Sequence, residues 1–227
     1  MAKPAANEPP DSTPVPPSVR AQLLATEHWS LLASRSTTQS EVLTRISIFL
    51  TVVSAGLVTL ALVGQATRFS ETFGMFAILV LALIATFGQL TQLRVLNVGM
   101  EDLMYVLAMN RLRAAYLELD PGIAPYLMSS PHDDQPGSDR TYYFLGYRST
   151  ASHLGASSMI MIAAVNAALV GLLAAAIASL LAAPSWLLIV VGIVLGLASL
   201  AASMWWGGRA YYRFWTTYTP YNPTPEP

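Results

Sequence analysis

Four stretches of this chain are long, apolar and free of charge, and they restrict its fold more than any other feature. Ile46–Gly64 reads ISIFLTVVSAGLVTLALVG. Phe73–Leu93 ends at Arg94. Met159–Ala183 reads MIMIAAVNAALVGLLAAAIASLLAA, and Trp186–Trp206 lies between Pro184 and the Gly207, Gly208, Arg209 run. Crossing a hydrocarbon core of about 30 Å takes roughly 20 apolar residues as helix, and a helix satisfies all its own backbone polar groups in lipid. Composition agrees: 11% of the 227 residues are charged, against about 25% in soluble domains, and the mean hydropathy is +0.48. The expected fold is all-α, an integral membrane protein with four transmembrane helices and a cytoplasmic helical extension, with the lipid bilayer as its first partner.

Orientation follows from the basic residues. With the N-terminus inside, Lys3, Arg20, Arg35, Arg45, Arg94, Arg111, Arg113, Arg140, Arg148, Arg209 and Arg213 are cytoplasmic and only Arg68 lies outside. The positive-inside rule then predicts both termini in the cytoplasm, in the inner membrane of a bacterium. The bacterial source is suggested by abundant alanine and a single lysine, a bias of GC-rich coding. A net charge of −1 gives no field for nucleic acid. The lack of cysteine excludes disulfides, thiolate catalysis and cysteine-ligated zinc.

The segments around the spans follow from local composition. Residues 1–17 are proline-rich and predict a disordered tail rather than a signal peptide. Residues 18–41 place Leu24, His28, Leu31 and Arg35 at helical spacing, an amphipathic cytoplasmic helix. A break is expected at Ser36–Glu41, which is rich in potential caps. Residues 42–119 form the first transmembrane hairpin. Its second span is expected to run on into the cytoplasm, because Leu93, Leu96, Met100, Leu103 and Leu107 continue a helical seam and the first proline is Pro121. That seam should pack on the N-terminal helix or on a neighbouring subunit. A cytoplasmic loop over 120–152, a second hairpin over 153–208, and an interfacial aromatic segment with a disordered tail over 209–227 complete the chain. In that last segment Trp205–Tyr218 reads as an aromatic belt, with Arg209 and Arg213 able to meet lipid phosphates.

No ionisable residue occupies the centre of a span, which removes the usual side chains of proton-coupled transport. The milder polar candidates are Ser47, Thr51 and Ser54 on one face of the first span, Thr86 and Gln89 in the second, and Asn166 in the third. They would line a narrow pore or bond neighbouring helices. The third span carries small residues every four positions, Ala163, Ala167, Gly171, Ala175, Ser179 and Ala183. The fourth answers with Gly192 and Gly196. Such ridges let helices approach closely, within the hairpin or between subunits.

The one concentration of polar chemistry is PHDDQPGSDR, Pro131–Arg140. It reads as a solvated loop whose acids offset nearby arginines, with a cation site or an intersubunit salt bridge as alternatives. Asp133 and Asp134 are adjacent and diverge, and the other histidines, His28 and His153, are distant in sequence. A transition metal needs three or four convergent ligands, so no metal, cofactor or catalytic residues are assigned. No phosphate loop, nucleotide fingerprint or nucleophile triad is present, and the chain is not expected to be an enzyme.

The stretches EHWSLLASRSTTQSE (Glu27–Glu41) and MNRLRAAYLELDPGIAPYL (Met109–Leu127), with His132–Asp134, resemble a family of uncharacterised bacterial integral membrane proteins. The layout of a pre-membrane helix, two close spans and a long cytoplasmic helix is similar to the SLATT domains of bacterial defence and nucleotide-signalling loci. The third and fourth spans are additional to that two-span pattern. The resemblance implies a pore-forming membrane effector. Together with the polar face and the small-residue ridge it leads to the expectation of a homo-oligomeric, channel-like protein. The alternative is a non-conducting scaffold that docks a cytoplasmic or membrane protein partner through its cytoplasmic helices.

Overall fold

A computed structural model of the protein describes residues 15–146 and 157–225. The proline-rich stretch before residue 15, the segment carrying Arg148 and His153, and the last two residues lie outside the described residues. The described chain is helical, without strands. Helix α1 spans Pro17–Ala66, α2 Glu71–Leu119, α3 Gln135–Tyr142, α4 Ser158–Leu180 and α5 Ser185–Thr217, and a 3-10 turn covers Pro121–Tyr126. α1, α2, α4 and α5 are each long and apolar enough to cross a membrane. The protein is an all-α, multi-pass membrane protein.

The break expected at Ser36–Glu41 does not occur; α1 is continuous. Cap-type side chains interrupt a helix only when they capture backbone groups, and this stretch has neither glycine nor proline. Two of its side chains, with Arg35 just before it, bond α2. Gln39 donates to Asp102 at 2.8 Å, Arg35 holds the same carboxylate at 2.6 and 3.1 Å, and Glu41 accepts from Arg94 at 2.7 Å. Arg94 also reaches Glu101 at 2.7 Å. The extension of α2 past its span is observed, to Leu119. It stops where Asp120 caps the 3-10 turn through Gly122 N at 2.8 Å.

The described chain forms two compact units, with α1 and α2 contributing to both. The larger comprises Arg35–Met104 and Tyr143–Thr219. Its core joins Val42, Ile46, Phe49 and Val53 of α1, Leu81, Ile84, Ala85 and Val95 of α2, and Ile162 and Leu169 of α4. Helix α5 lies outermost: 6% of its apolar window is buried within the protein, against 33% for α4. Its exposed Ile189, Ile193 and Leu197 are the surface that lipid solvates. The smaller unit combines the chain up to Ser34, Tyr105–Tyr142 and the chain from Pro220. In it the half-buried face of α1 carries Leu24, His28 and Leu31. His28 stacks on Tyr116 with ring centroids 5.9 Å apart, Tyr116 donates to Leu24 O at 3.1 Å, and Arg20 pairs with Glu118 at 2.6 Å. Burial, then Arg113, holds His28 below the ordinary histidine range, so the ring pairs as a neutral imidazole.

Candidate functional site

The 131–140 segment is not a solvated loop. Asp133 is fully buried, and its carboxylate is consumed by the C-terminal chain. Oδ1 accepts from Asn222 N at 2.7 Å, and Oδ2 from Tyr221 N at 3.0 Å and from Arg111 Nε. The backbone returns the contact, Asp133 N donating to Asn222 O at 3.2 Å. Asp134 takes the next residues: Oδ2 accepts from Thr224 N at 2.6 Å, Oδ1 from the Thr224 hydroxyl at 2.9 Å. Oδ1 also caps α3 through Gly137 N at 2.8 Å. Asn110, fully buried on α2, ties the loop down by donating to His132 O at 2.7 Å and accepting from Thr141 Oγ1 at 3.0 Å and Arg113 Nη1 at 2.6 Å.

The tail expected to be disordered after Tyr218 is therefore ordered as far as Thr224. Composition hid this because most of the contact is made by backbone groups of Tyr221, Asn222 and Thr224, to which the Thr224 hydroxyl and the Asn222 side-chain amide add two bonds. Asp134 is pushed up by burial, yet the hydrogen bonds from Thr224 and Gly137 outweigh that and hold it below the ordinary carboxylate range. Asp139, without such donors, is raised by burial. Among the described residues no three His, Asp or Glu side chains converge as metal ligands.

Within the spans each polar candidate has a definite place. Ser47, Thr51 and Ser54 lie on the exposed face of α1. Each donates back to its own helix, to Leu43 O at 3.0 Å, Ser47 O at 2.9 Å and Leu50 O at 2.8 Å. Thr86 does the same to Ala82 O at 2.8 Å. Gln89 is exposed on α2. Asn166 is fully buried and donates to Gln92 Oε1 at 3.0 Å. Its own Oδ1 lies so close over Gly88 that a Cβ there would come within 2.4 Å. Gln92, which sequence reasoning passed over for Gln89, is the bonded partner. The signal was available: Gln92 continues the Ile84–Gly88 face of α2 that turns inward.

The small-residue ridge closes the α4–α5 hairpin. Ala163, Ala167 and Gly171 are buried. A Cβ on Gly171 would meet Gly192 O at 2.6 Å, and one on Gly196 would meet Ala167 O at 2.9 Å. Ala175 is half-buried beside Gly192, and Ser179 lies near the far end of α4. The two backbones are thus in direct contact, which only glycine at these positions permits.

These features define a multi-pass helical membrane protein with a hydrogen-bonded unit built from segments distant in sequence. Comparison with known proteins gives no matching family model, no matching curated protein and no matching solved structure.

Proposed function

We propose that this protein is a non-conducting membrane scaffold, seated in the inner membrane with both termini in the cytoplasm, whose helical unit outside the spans docks a protein partner. One observation carries the reading: of the polar candidates in the spans, Ser47, Thr51, Ser54, Thr86 and Asn166 are hydrogen-bonded within a single chain, and Gln89 is the one left exposed among the described residues. The hydroxyls of Ser47, Thr51 and Ser54 bond their own helix, and Asn166 donates to Gln92 and is fully buried. Outside the spans, by contrast, large side chains such as Trp29 (70% exposed) and Tyr126 (82% exposed) remain open to a partner. Gentle solubilisation from native membranes should bring down a stoichiometric heterologous protein, and the purified chain should be electrically silent in planar bilayers. Reproducible unitary currents would overturn this reading.

A second reading, the homo-oligomeric channel-like effector, is favoured by one fact: the Ser47–Thr51–Ser54 stripe faces outward, where copies of α1 arranged around an axis would bring it together. The resemblance to SLATT effectors supports it. Its mark is a ring of four or more subunits in nanodiscs, with conductance lowered by Thr51→Val.

A further inference from the structure

Five of the ten arginines among the described residues, Arg20, Arg35, Arg45, Arg94 and Arg111, form ion pairs with carboxylates. Arg209 and Arg213 do not. They stand one turn apart on α5, just past its apolar stretch, and neither forms an ion pair among the described residues. Together with Trp206, Phe214 and Thr217 they line a hollow of about 390 Å³. Arg209 lies over the Trp205 ring at 5.4 Å, a cation–π contact that orients the guanidinium without neutralising it.

Trp206 is also a wall of a second hollow, about 370 Å³, on the side toward the apolar stretch, where Gln89, Gln92, Ser199 and Ser203 provide the polar groups. Gln92 is 4% exposed. Its Oε1 is occupied by Asn166, which leaves its Nε2 as a nearly buried donor with no hydrogen-bond partner among the described residues. Ser203 spends its proton on Ser199 O at 2.8 Å. The hollow therefore presents a donor that lacks an acceptor, and it lies one tryptophan away from two cations that lack an anion.

We propose that these two hollows form one binding site for an anionic phospholipid, its phosphate between Arg209 and Arg213 and its glycerol-ester carbonyls at Gln92 and Gln89, on either side of Trp206. The spacing fits: Ser203 and Arg209 are six residues apart, about 9 Å along a helix rising 1.5 Å per residue. Guanidinium forks match phosphate oxygens bidentately, and Trp205 and Trp206 mark the interfacial layer where headgroups lie. A free phosphate would use the cations alone. The unpartnered amide one step deeper, beside Leu93 and Ala202, is what selects a lipid.

The test is native mass spectrometry and thermal melting of the full chain in detergent micelles, with phosphatidylglycerol and phosphatidylcholine of identical acyl chains as probes, and inorganic phosphate as a third arm. The expected result is retention of phosphatidylglycerol over phosphatidylcholine by about 25-fold, near 5-fold for each arginine. That preference should be abolished in Arg209→Gln/Arg213→Gln, reduced in the Arg→Lys pair that keeps charge without the fork, and intact in Arg68→Gln. Gln89→Leu should weaken both lipids alike, because both carry esters. Equal retention of the two lipids, a loss equally large in Arg68→Gln, or stabilisation by inorganic phosphate matching that by lipid would each overturn the proposal. Should the double glutamine variant melt early even in phosphatidylcholine, the lysine pair decides: an undiminished preference there refutes the paired fork.

Discussion

Asp133 and Gly171 each hold two parts of the chain together, by opposite means. Around Asp133 the chain buries a carboxylate and surrounds it with Arg111 and the N–H groups of Tyr221 and Asn222. Around Gly171 it removes the side chain altogether so that two helices touch backbone to backbone. The difference follows from the solvent. In lipid, apolar surface gains nothing by association, so van der Waals packing at close approach is what remains to join α4 to α5. Outside the spans, a buried charge is tolerable only when its lone pairs are filled, and once filled it fixes one arrangement among many.

The comparison breaks first at Asp133. Asp133→Ala leaves the N–H groups of Tyr221 and Asn222 without their acceptor, a loss of about 1–3 kcal/mol for each unsatisfied donor, while Arg111, its side chain 43% exposed, can turn to solvent. Amide hydrogen exchange at Tyr221 and Asn222 should rise toward that of a free tail, while α4 and α5 exchange as before. Unchanged protection at those two amides would mean that the carboxylate does not hold the tail.

Gly171→Ala applies the matching stress to the hairpin. A Cβ at 2.6 Å from Gly192 O forces the helices apart, and overpacking of this kind costs about 1–3 kcal/mol. Gly208→Ala is the internal control: nothing lies within 4 Å of its Cβ, so alanine there gains helix propensity of about 1 kcal/mol. Reversible unfolding of the full chain in mixed micelles should show opposite signs for the two, and equal signs would remove close approach as the basis of the hairpin.

Acid separates the two regions without mutation. The Asp134 carboxyl is held below its ordinary value in the folded protein. Its contribution is therefore complete above the unfolded-state value, near pH 4, and is lost as pH falls through the lower folded value. Protection at the Thr224 and Gly137 amides should fall in that window, with the hairpin unaffected. Asp139, raised by burial, carries the opposite sign, so the amides must be read individually and not through a global melt. A Thr224 amide indifferent to acid would refute the Asp134 contact.

What the sequence made legible was whatever depends on period and length. Four uncharged runs set the spans, the Leu24–His28–Leu31–Arg35 spacing picked out the inward face of α1, and the lack of proline before Pro121 carried α2 to Leu119. Contacts made by backbone atoms left no such trace. Tyr221 and Asn222 reach Asp133 through N–H groups that every non-proline residue has, so a tail composed like a disordered one is ordered. The helical run through Ser36–Glu41 was obscured for a related reason: its serines and threonines read as caps, while Gln39 and Glu41 among them bond across to α2, and their partners Asp102 and Arg94 are 63 and 53 residues away. The four-residue ridge on α4 was plain, but whether it met α5 or another subunit depended on the contacts of Gly171 with the Gly192 carbonyl and of Gly196 with the Ala167 carbonyl, which no spacing in the sequence specifies.

The smallest effect probes whether a polar pair within the lipid layer belongs with the carboxylate or with the glycine. Asn166 and Gln92 share one hydrogen bond of 3.0 Å, and Asn166 Oδ1 is otherwise pressed against Gly88. If the amides act as polar glue, a double-mutant cycle with Asn166→Leu and Gln92→Leu should return a coupling near 0.6 kcal/mol and under about 1.7 kcal/mol, the range of interhelical bonds whose unfolded state also finds partners in the membrane. If their role is close packing over Gly88, the coupling vanishes, and Asn166→Leu alone carries the loss because the larger group cannot sit where Oδ1 does. Gly88→Ala, which a Cβ at 2.4 Å from Oδ1 forbids without movement, should then mimic it. A coupling near zero with Gly88→Ala silent would leave neither mechanism standing for the buried polar pair that joins α2 to α4.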